Sequence, residues 1–286
     1  MSAVPAIPYA EVIGDPIAQS KSPAIHRFWL DALGIAGDYR AQHVRGHELG
    51  DYFAARRADP AWRGCNVTIP HKIEVMAHLD GTDARAEAVG AVNCVRRDGD
   101  RLVGSNSDVV GFLEPLAPLL ARRHLFRMAR IFGAGGAARA VAHGLKCKGF
   151  TLVIAARDVR AAEALRDAVD PGGYAVALDH FAAPLEFAWD DRAHLLDLVV
   201  NTTSLGMAGN PPLRLDFSHV PPNAIVYDAV YAPLETPLLA EAKRHGLRTI
   251  DGLAMLIGQA REAFRLFFGA EPPAARDDEL RARLVA

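Results

Sequence analysis

The loop Gly133-Ala134-Gly135-Gly136-Ala137-Ala138 follows the apolar run Ile131-Phe132 and precedes residues at helical spacing. A loop of this kind binds a dinucleotide with its backbone. Gly133 permits the tight turn, Gly135 lets a pyrophosphate approach, and free N–H groups at the helix start favour its negative charge. A plain strand-to-helix turn has similar composition, so the order strand, loop, helix, second strand carries the stronger reading. The second strand, within Phe150 to Ala156, ends at Arg157-Asp158, where such folds place the adenosine ribose. These two residues pull in opposite directions. Arg157 can pair bidentately with a 2′-phosphate, which favours NADP, whereas the Asp158 carboxylate repels that phosphate and can accept a ribose hydroxyl, which favours NAD. Either can also be a solvated charge at a strand end.

Three earlier segments place polar groups where strands end. In Gly14-Asp15-Pro16-Ile17-Ala18-Gln19-Ser20-Lys21-Ser22-Pro23, Ser20 and Ser22 can donate to a carboxylate at a helix start, although an isolated Ser-x-Ser-Pro more often only caps a helix. Cys65 to Lys72 reads as a strand running into a helix start marked by Pro70. There the amine of Lys72, one of only five lysines, can donate a proton or simply face solvent. His71 is the neighbouring alternative acid. Gly90 to Asn93 and Gly104 to Asp108 flank a hairpin turn. Asn93 and Asp108 suit ring hydroxyls, though Asx residues also collect in turns.

These groups need a scaffold, and apolar runs alternating with helical patterns predict an α/β class with mainly parallel sheets. Tyr9 to Ile13 reads as a strand. Ser22-Pro23 signals a helix start and Gly34 its stop. Asp98-Gly99 favours a hairpin between Ala91–Arg97 and Arg101–Gly104. From about residue 127 the rhythm resumes through further strands in LLDLVVNTT and NAIVYDAVY. This places a first domain over residues 1–112 and a cofactor domain after it.

At 286 residues and 50% hydrophobic, the chain can bury two ordinary cores. A net charge of −2 gives no global field for nucleic acid or anionic lipid, so the expected partner is a small molecule. Cys65, Cys94 and Cys147 form neither a disulfide framework nor a zinc site, no metal is expected, and a reducing cytoplasm fits. The N-terminus reads as lacking an export signal, and no apolar run reaches the roughly 18 residues of a membrane span. Oligomeric state stays open between monomer and homodimer.

Together these residues resemble the shikimate dehydrogenase family from Val12 to about Gly269. The serine pair is similar to Ser20 and Ser22, the family's NVTxPxK reads Asn66 to Lys72, GAVN reads Gly90 to Asn93, and NTD appears as Asn106-Ser107-Asp108. Asn201 to Met207, Tyr227 to Pro233 (YDxxYxP) and Asp251 to Ala260 (DGxxMLxxQA) follow in family order. The resemblance implies that Lys72 and Asp108 are the catalytic pair. It further implies that Ser20, Ser22 and Tyr231 surround the substrate carboxylate, and that Thr68, Asn93, Asp108 and Gln259 contact ring hydroxyls. On the cofactor side it implies Gly133, Ala134, Gly135, Gly136 and Ala137 around the pyrophosphate, Arg157 and Asp158 near the ribose, and Ala229, Gly252 and Met255 near the nicotinamide.

By the same resemblance, a Rossmann-like domain over 113–250 sits beside a discontinuous substrate domain of 1–112 and 251–286, with the C-terminal helices returning to the first domain. The implied activity is reversible, NADPH-linked reduction of 3-dehydroshikimate to shikimate in aromatic amino-acid (chorismate) biosynthesis. An NAD-dependent quinate/shikimate dehydrogenase is the alternative that Asp158 supports, and a non-catalytic nicotinamide-binding paralogue is a third. The sequence departs from the family pattern at Ser107, Cys94 and Ala229, and reads Ala156-Arg157-Asp158 where NADP-using members commonly have Asn-Arg-Thr.

Overall fold

The computed structural model describes residues 7–184 and 194–285. Residues 1–6, read above as lacking an export signal, lie outside them. The chain divides into two compact units, Met1–Ser107 with Ile257–Ala286, and Asp108–Leu256.

The first unit runs β1 (Tyr9–Gly14), α1 (Ser22–Leu33), β2 (Asp38–His43), α2 (Leu49–Ala58), β3 (Trp62–Val67), β4 (Gly81–Thr82), α3 (Ala84–Val89), β5 (Cys94–Asp98) and β6 (Arg101–Ser105). Its sheet has the order β2-β1-β3-β5-β6-β4, with β5 antiparallel to both neighbours and the other pairs parallel. All six residues of β1 are buried, as a central strand covered on both faces requires. The one charge among them, Glu11, accepts hydrogen bonds from Tyr52 Oη at 2.8 Å and Arg56 Nε at 2.7 Å.

Local signals were displaced at three points. Ser22 is the first residue of α1 rather than its cap; Lys21 holds the cap position, with no side-chain cap bond, and Gly34 closes the helix at φ 63°. Asp98 pairs with Arg101, so the hairpin turns at Gly99-Asp100, and Gly99 supplies the positive φ of 61°. No α-helix follows Pro70. The carbonyl of Lys72 accepts the Val92 N–H at 2.7 Å, which removes it from a helical ladder, and only a 3₁₀ turn at Glu74–His78 forms.

The second unit runs α4 (Asp108–Leu113), α5 (Ala117–Leu120), β7 (Phe126–Phe132), α6 (Gly136–Lys146), β8 (Thr151–Ala156), α7 (Val159–Val169), β9 (Tyr174–Ala177), β10 (Leu195–Asn201), β11 (Ile225–Asp228), α8 (Pro237–Arg244) and β12 (Arg248–Ile250). Its wholly parallel sheet has the order β12-β11-β10-β7-β8-β9, the doubly wound arrangement in which ligands bind beyond the carboxyl ends of the strands. The helices α9 (Gly252–Phe268) and α10 (Asp277–Val285) follow, and the division between units falls within α9. Inside the second core, Arg130 Nη1 pairs with Asp197 Oδ1 at 3.1 Å. Burial outweighs their attraction, holding the guanidinium below its usual range and pushing the carboxyl up to about 6.

Asp228 ends β11 and gathers the strand ends around it. It accepts from Asn201 Nδ2 at 2.9 Å, the Val230 N–H at 3.0 Å and Thr236 Oγ1 at 2.6 Å. Burial nevertheless dominates these bonds and raises its carboxyl to about 6. The folded chain therefore keeps this proton to a higher pH than the unfolded chain, whose value is about 4. The resulting stabilisation is complete below that value and is lost as pH rises through about 6. Asp228→Asn should reduce the difference in unfolding free energy between about pH 4.5 and pH 7.5 by about 2 kcal/mol, read from urea titrations of variant and parent. An unchanged difference would mean that Asp228 is ionised across the whole range.

Candidate active site

In the first unit, two loops meet beyond the end of β1. Thr68 N–H donates to the Ile13 carbonyl at 3.0 Å and Asp15 N–H to the Ile69 carbonyl at 3.1 Å. Gly14 lies so close between them that a Cβ there would fall 2.6 Å from Thr68 Cγ2. Ser22 is buried in the first turn of α1, where backbone N–H groups lack helical partners, and its own N–H donates to Ser20 Oγ at 3.3 Å. The fold therefore sets both hydroxyls at a helix start, a placement that suits a carboxylate.

Lys72 is half-buried, and its backbone is pinned by Val92 one residue before Asn93. His71 takes a packing role instead, since it is buried with Nε2 2.6 Å from the Val44 carbonyl. Asn93, only 2% exposed, is the centre of the polar cluster. Its Oδ1 accepts from the Ser107 N–H at 2.7 Å, and its Nδ2 donates to Ser107 Oγ at 3.0 Å and to Gln259 Oε1 at 3.2 Å. Five of the expected substrate residues, Ser20, Ser22, Thr68, Asn93 and Gln259, thus share this unit with Lys72. Asp108 is also buried and opens α4, the first helix of the second unit.

The carboxamides fix donor and acceptor directions that ring hydroxyls can meet, and the lysine adds an amine able to exchange a proton. Sequence reasoning assigned no role to Ser107 or to Tyr39, whose hydroxyl donates to Asn66 Oδ1 at 2.6 Å. Ser107 stood within a quoted motif. Tyr39 had no local signal.

In the second unit the glycine loop has the conformation its composition promised. Gly133 adopts φ 118°, and a Cβ on it would lie 2.5 Å from Thr202 Oγ1. Its N–H donates to the Ala155 carbonyl at 2.8 Å, while Thr202 Oγ1 donates to the Phe132 carbonyl at 2.6 Å, a contact the sequence had not singled out. Gly135 caps α6 without a side chain, and a Cβ there would meet nothing within 4 Å. That open space, with the first-turn N–H groups of Gly136 and Ala137, which have no partner within the helix, beside half-buried Ala134, fits a pyrophosphate.

Asp158 accepts the Arg160 N–H at 3.0 Å as the N-cap of α7, so its carboxylate serves the helix, while Arg157 remains exposed beside it. Across the sheet, Ala229 N–H donates to the Asn201 carbonyl at 2.8 Å, and Gly252 approaches so closely that a Cβ on it would fall 2.3 Å from the Ala229 carbonyl oxygen. Half-buried Tyr231 follows this crossing, and Met255 is 7% exposed and packs into the core of the unit.

Comparison with known proteins agrees with this arrangement. The profile for the shikimate dehydrogenase substrate-binding domain matches residues 12–95, and that for the shikimate 5′-dehydrogenase C-terminal domain matches residues 252–277. A protein of Sphingopyxis alaskensis named shikimate dehydrogenase (NADP(+)) is 52% identical over 283 residues, covering 98% of each chain. A crystal structure of a shikimate dehydrogenase in complex with NADP+ superposes with a TM-score of 0.85 at 32% identity, covering 98% of this chain and 96% of that one. The shikimate 5-dehydrogenase of Thermus thermophilus, solved with NADP(H) and shikimate, gives a TM-score of 0.78 at 35% identity, covering 97% and 99%. By motif order, site geometry and full-length similarity, the chain belongs to the shikimate dehydrogenase family.

Proposed function

We propose that this chain catalyses the reversible NADP-linked interconversion of 3-dehydroshikimate and shikimate, in the route to chorismate and the aromatic amino acids. The observation that carries the proposal is the buried Asn93–Ser107–Gln259 cluster beside the pinned backbone of Lys72, in a unit that also holds the serine pair. Ser20 and Ser22, with Tyr231, receive the substrate carboxylate. Thr68, Asn93, Asp108 and Gln259 receive the ring hydroxyls.

NADPH supplies the hydride for the C3 carbonyl. Lys72 donates a proton to the oxygen that becomes the C3 hydroxyl, and takes it back in the oxidative direction. Asp108 is the second member of the catalytic pair and orients the ammonium group. Residues 1–112 with 251–286 form the substrate domain and residues 113–250 the cofactor domain. Gly133 to Ala137 hold the pyrophosphate, Ala229, Gly252 and Met255 line the nicotinamide side, and Arg157 binds the 2′-phosphate. Because Asp158 caps α7, the negative charge on which an NAD preference rested is already engaged by the helix. The three cysteines are free thiols and no helix among the described residues is long and apolar enough to cross a membrane; we place the enzyme in the cytoplasm as a monomer or homodimer.

Lys72→Ala should lower kcat by about 10² to 10⁴-fold while the NADPH dissociation constant, read by nucleotide fluorescence, stays within about twofold. Near-parental kcat would remove Lys72 from the chemistry. Arg157→Ala should raise the NADP KM by roughly 10- to 150-fold and leave the NAD KM unchanged, since a charge-assisted bidentate contact is worth about 1.5–3 kcal/mol. A parallel rise for both nucleotides would show that Arg157 acts on the loop rather than on the phosphate.

A further inference from the structure

Tyr39 is the one fully buried residue of β2, a strand whose last four residues are exposed. Its hydroxyl is the start of a chain of hydrogen bonds. Tyr39 Oη donates to Asn66 Oδ1 at 2.6 Å, and Asn66 Nδ2 donates to the Asn93 carbonyl at 3.1 Å, which also accepts the Val67 N–H at 2.8 Å. A carboxamide has one accepting end and one donating end. With the accepting end held by Tyr39, the donating end must face Asn93, whose side chain then meets Ser107 and Gln259.

The ring of Tyr39 is held as firmly as its hydroxyl. His26 stacks on it at 3.9 Å with planes 4° apart, and Phe267 of α9 lies 6.4 Å away. Neither ring nitrogen of His26 has a hydrogen-bond partner among the described residues, and burial lowers its pKa to about 3, so it packs as a neutral plate. His26 stands one turn after Ser22 on α1. The helix that opens on Ser22 therefore also clamps the tyrosine that orients the asparagines.

We infer that Tyr39 is a positioning residue for the hydroxyl side of the substrate site: its hydroxyl sets which way the Asn66 carboxamide points and through it fixes Asn93. The inference rests on the proposed reaction for its kinetic consequences, whereas the hydrogen-bond chain exists without substrate. Removing the hydroxyl leaves Asn66 Oδ1 a buried acceptor with no donor. Flipping the amide gives no relief, because the oxygen would then face the Asn93 carbonyl. Such a loss costs about 1–3 kcal/mol, which corresponds to roughly 5- to 150-fold in an equilibrium.

Tyr39→Phe keeps the ring and its stacking. We expect its shikimate KM to rise at least about fivefold, its NADP KM to stay within about twofold, and kcat to fall less than KM rises. In the ligand-free protein, the Asn93 side-chain amide protons should exchange with solvent several-fold faster than in the parent, followed by NMR. A lowered melting temperature with unchanged shikimate KM would reduce Tyr39 to a space-filling role, and an equal rise in both KM values would mean general loosening; either overturns the inference. If the parent itself does not turn over shikimate, the proposed reaction fails, and the ligand-free exchange still decides this point: unchanged Asn93 exchange overturns it. Should Tyr39→Phe not fold, Asn66→Leu cuts the same chain one link later and must give the same split between the two KM values.

Discussion

Asn93 is the constraint on which the rest of the first unit depends. Its carbonyl is fixed by Asn66 and Val67 at the end of β3, its side chain by Ser107 after β6, and Gln259 of α9 completes the set. Those three segments are separated by as many as 193 residues of sequence, from Asn66 to Gln259. They meet because β5 and β6 interrupt a parallel sheet with an antiparallel pair, which brings Asn93 just before β5 and Ser107 just after β6 to the same end of the hairpin. A buried carboxamide is an economical fastener for this purpose, since each polar atom left unsatisfied there would cost far more than a hydrogen bond in water gains. The same bonds that hold the fold also fix the donor and acceptor directions of these side chains.

The second unit depends on a different constraint, the absence of side chains. Gly133 and Gly252 sit where a Cβ would collide with Thr202 Oγ1 and the Ala229 carbonyl, whereas Gly135 faces open space. The first two glycines draw backbone segments together and the third leaves room for a phosphate to approach the start of α6. Charge is handled with similar division of labour. Arg157 and Asp158 are adjacent in sequence, yet one points its function at solvent and the other at the helix N-terminus.

Much of this was legible in the sequence because it is local. The glycine loop, the strand before it and the helix after it occupy one short segment, and composition and order suffice to read them. The serine pair, Lys72 and Asn93 were readable as members of motifs. Three things were not. Asp158 as a helix cap competed with a reading drawn from ligand chemistry, although an aspartate just before the helical spacing of Ala162 and Leu165 is itself a cap signal. The expected helix after Pro70 failed because the Lys72 carbonyl is claimed by Val92, a partner twenty residues away. Tyr39 and Asn66 are 27 residues apart on non-adjacent strands, and nothing in either neighbourhood announces that they touch.

We propose that the cluster around Asn93 selects shikimate and that the exposed arginine at position 157 selects NADP. Initial rates for shikimate and for quinate, each with NADP and with NAD at matched concentrations, test it most directly. The account predicts that shikimate with NADP is turned over with the highest kcat/KM of the four combinations. Preferential oxidation of quinate with NAD would contradict it, by showing that Asp158 governs the nucleotide despite its place in the cap of α7.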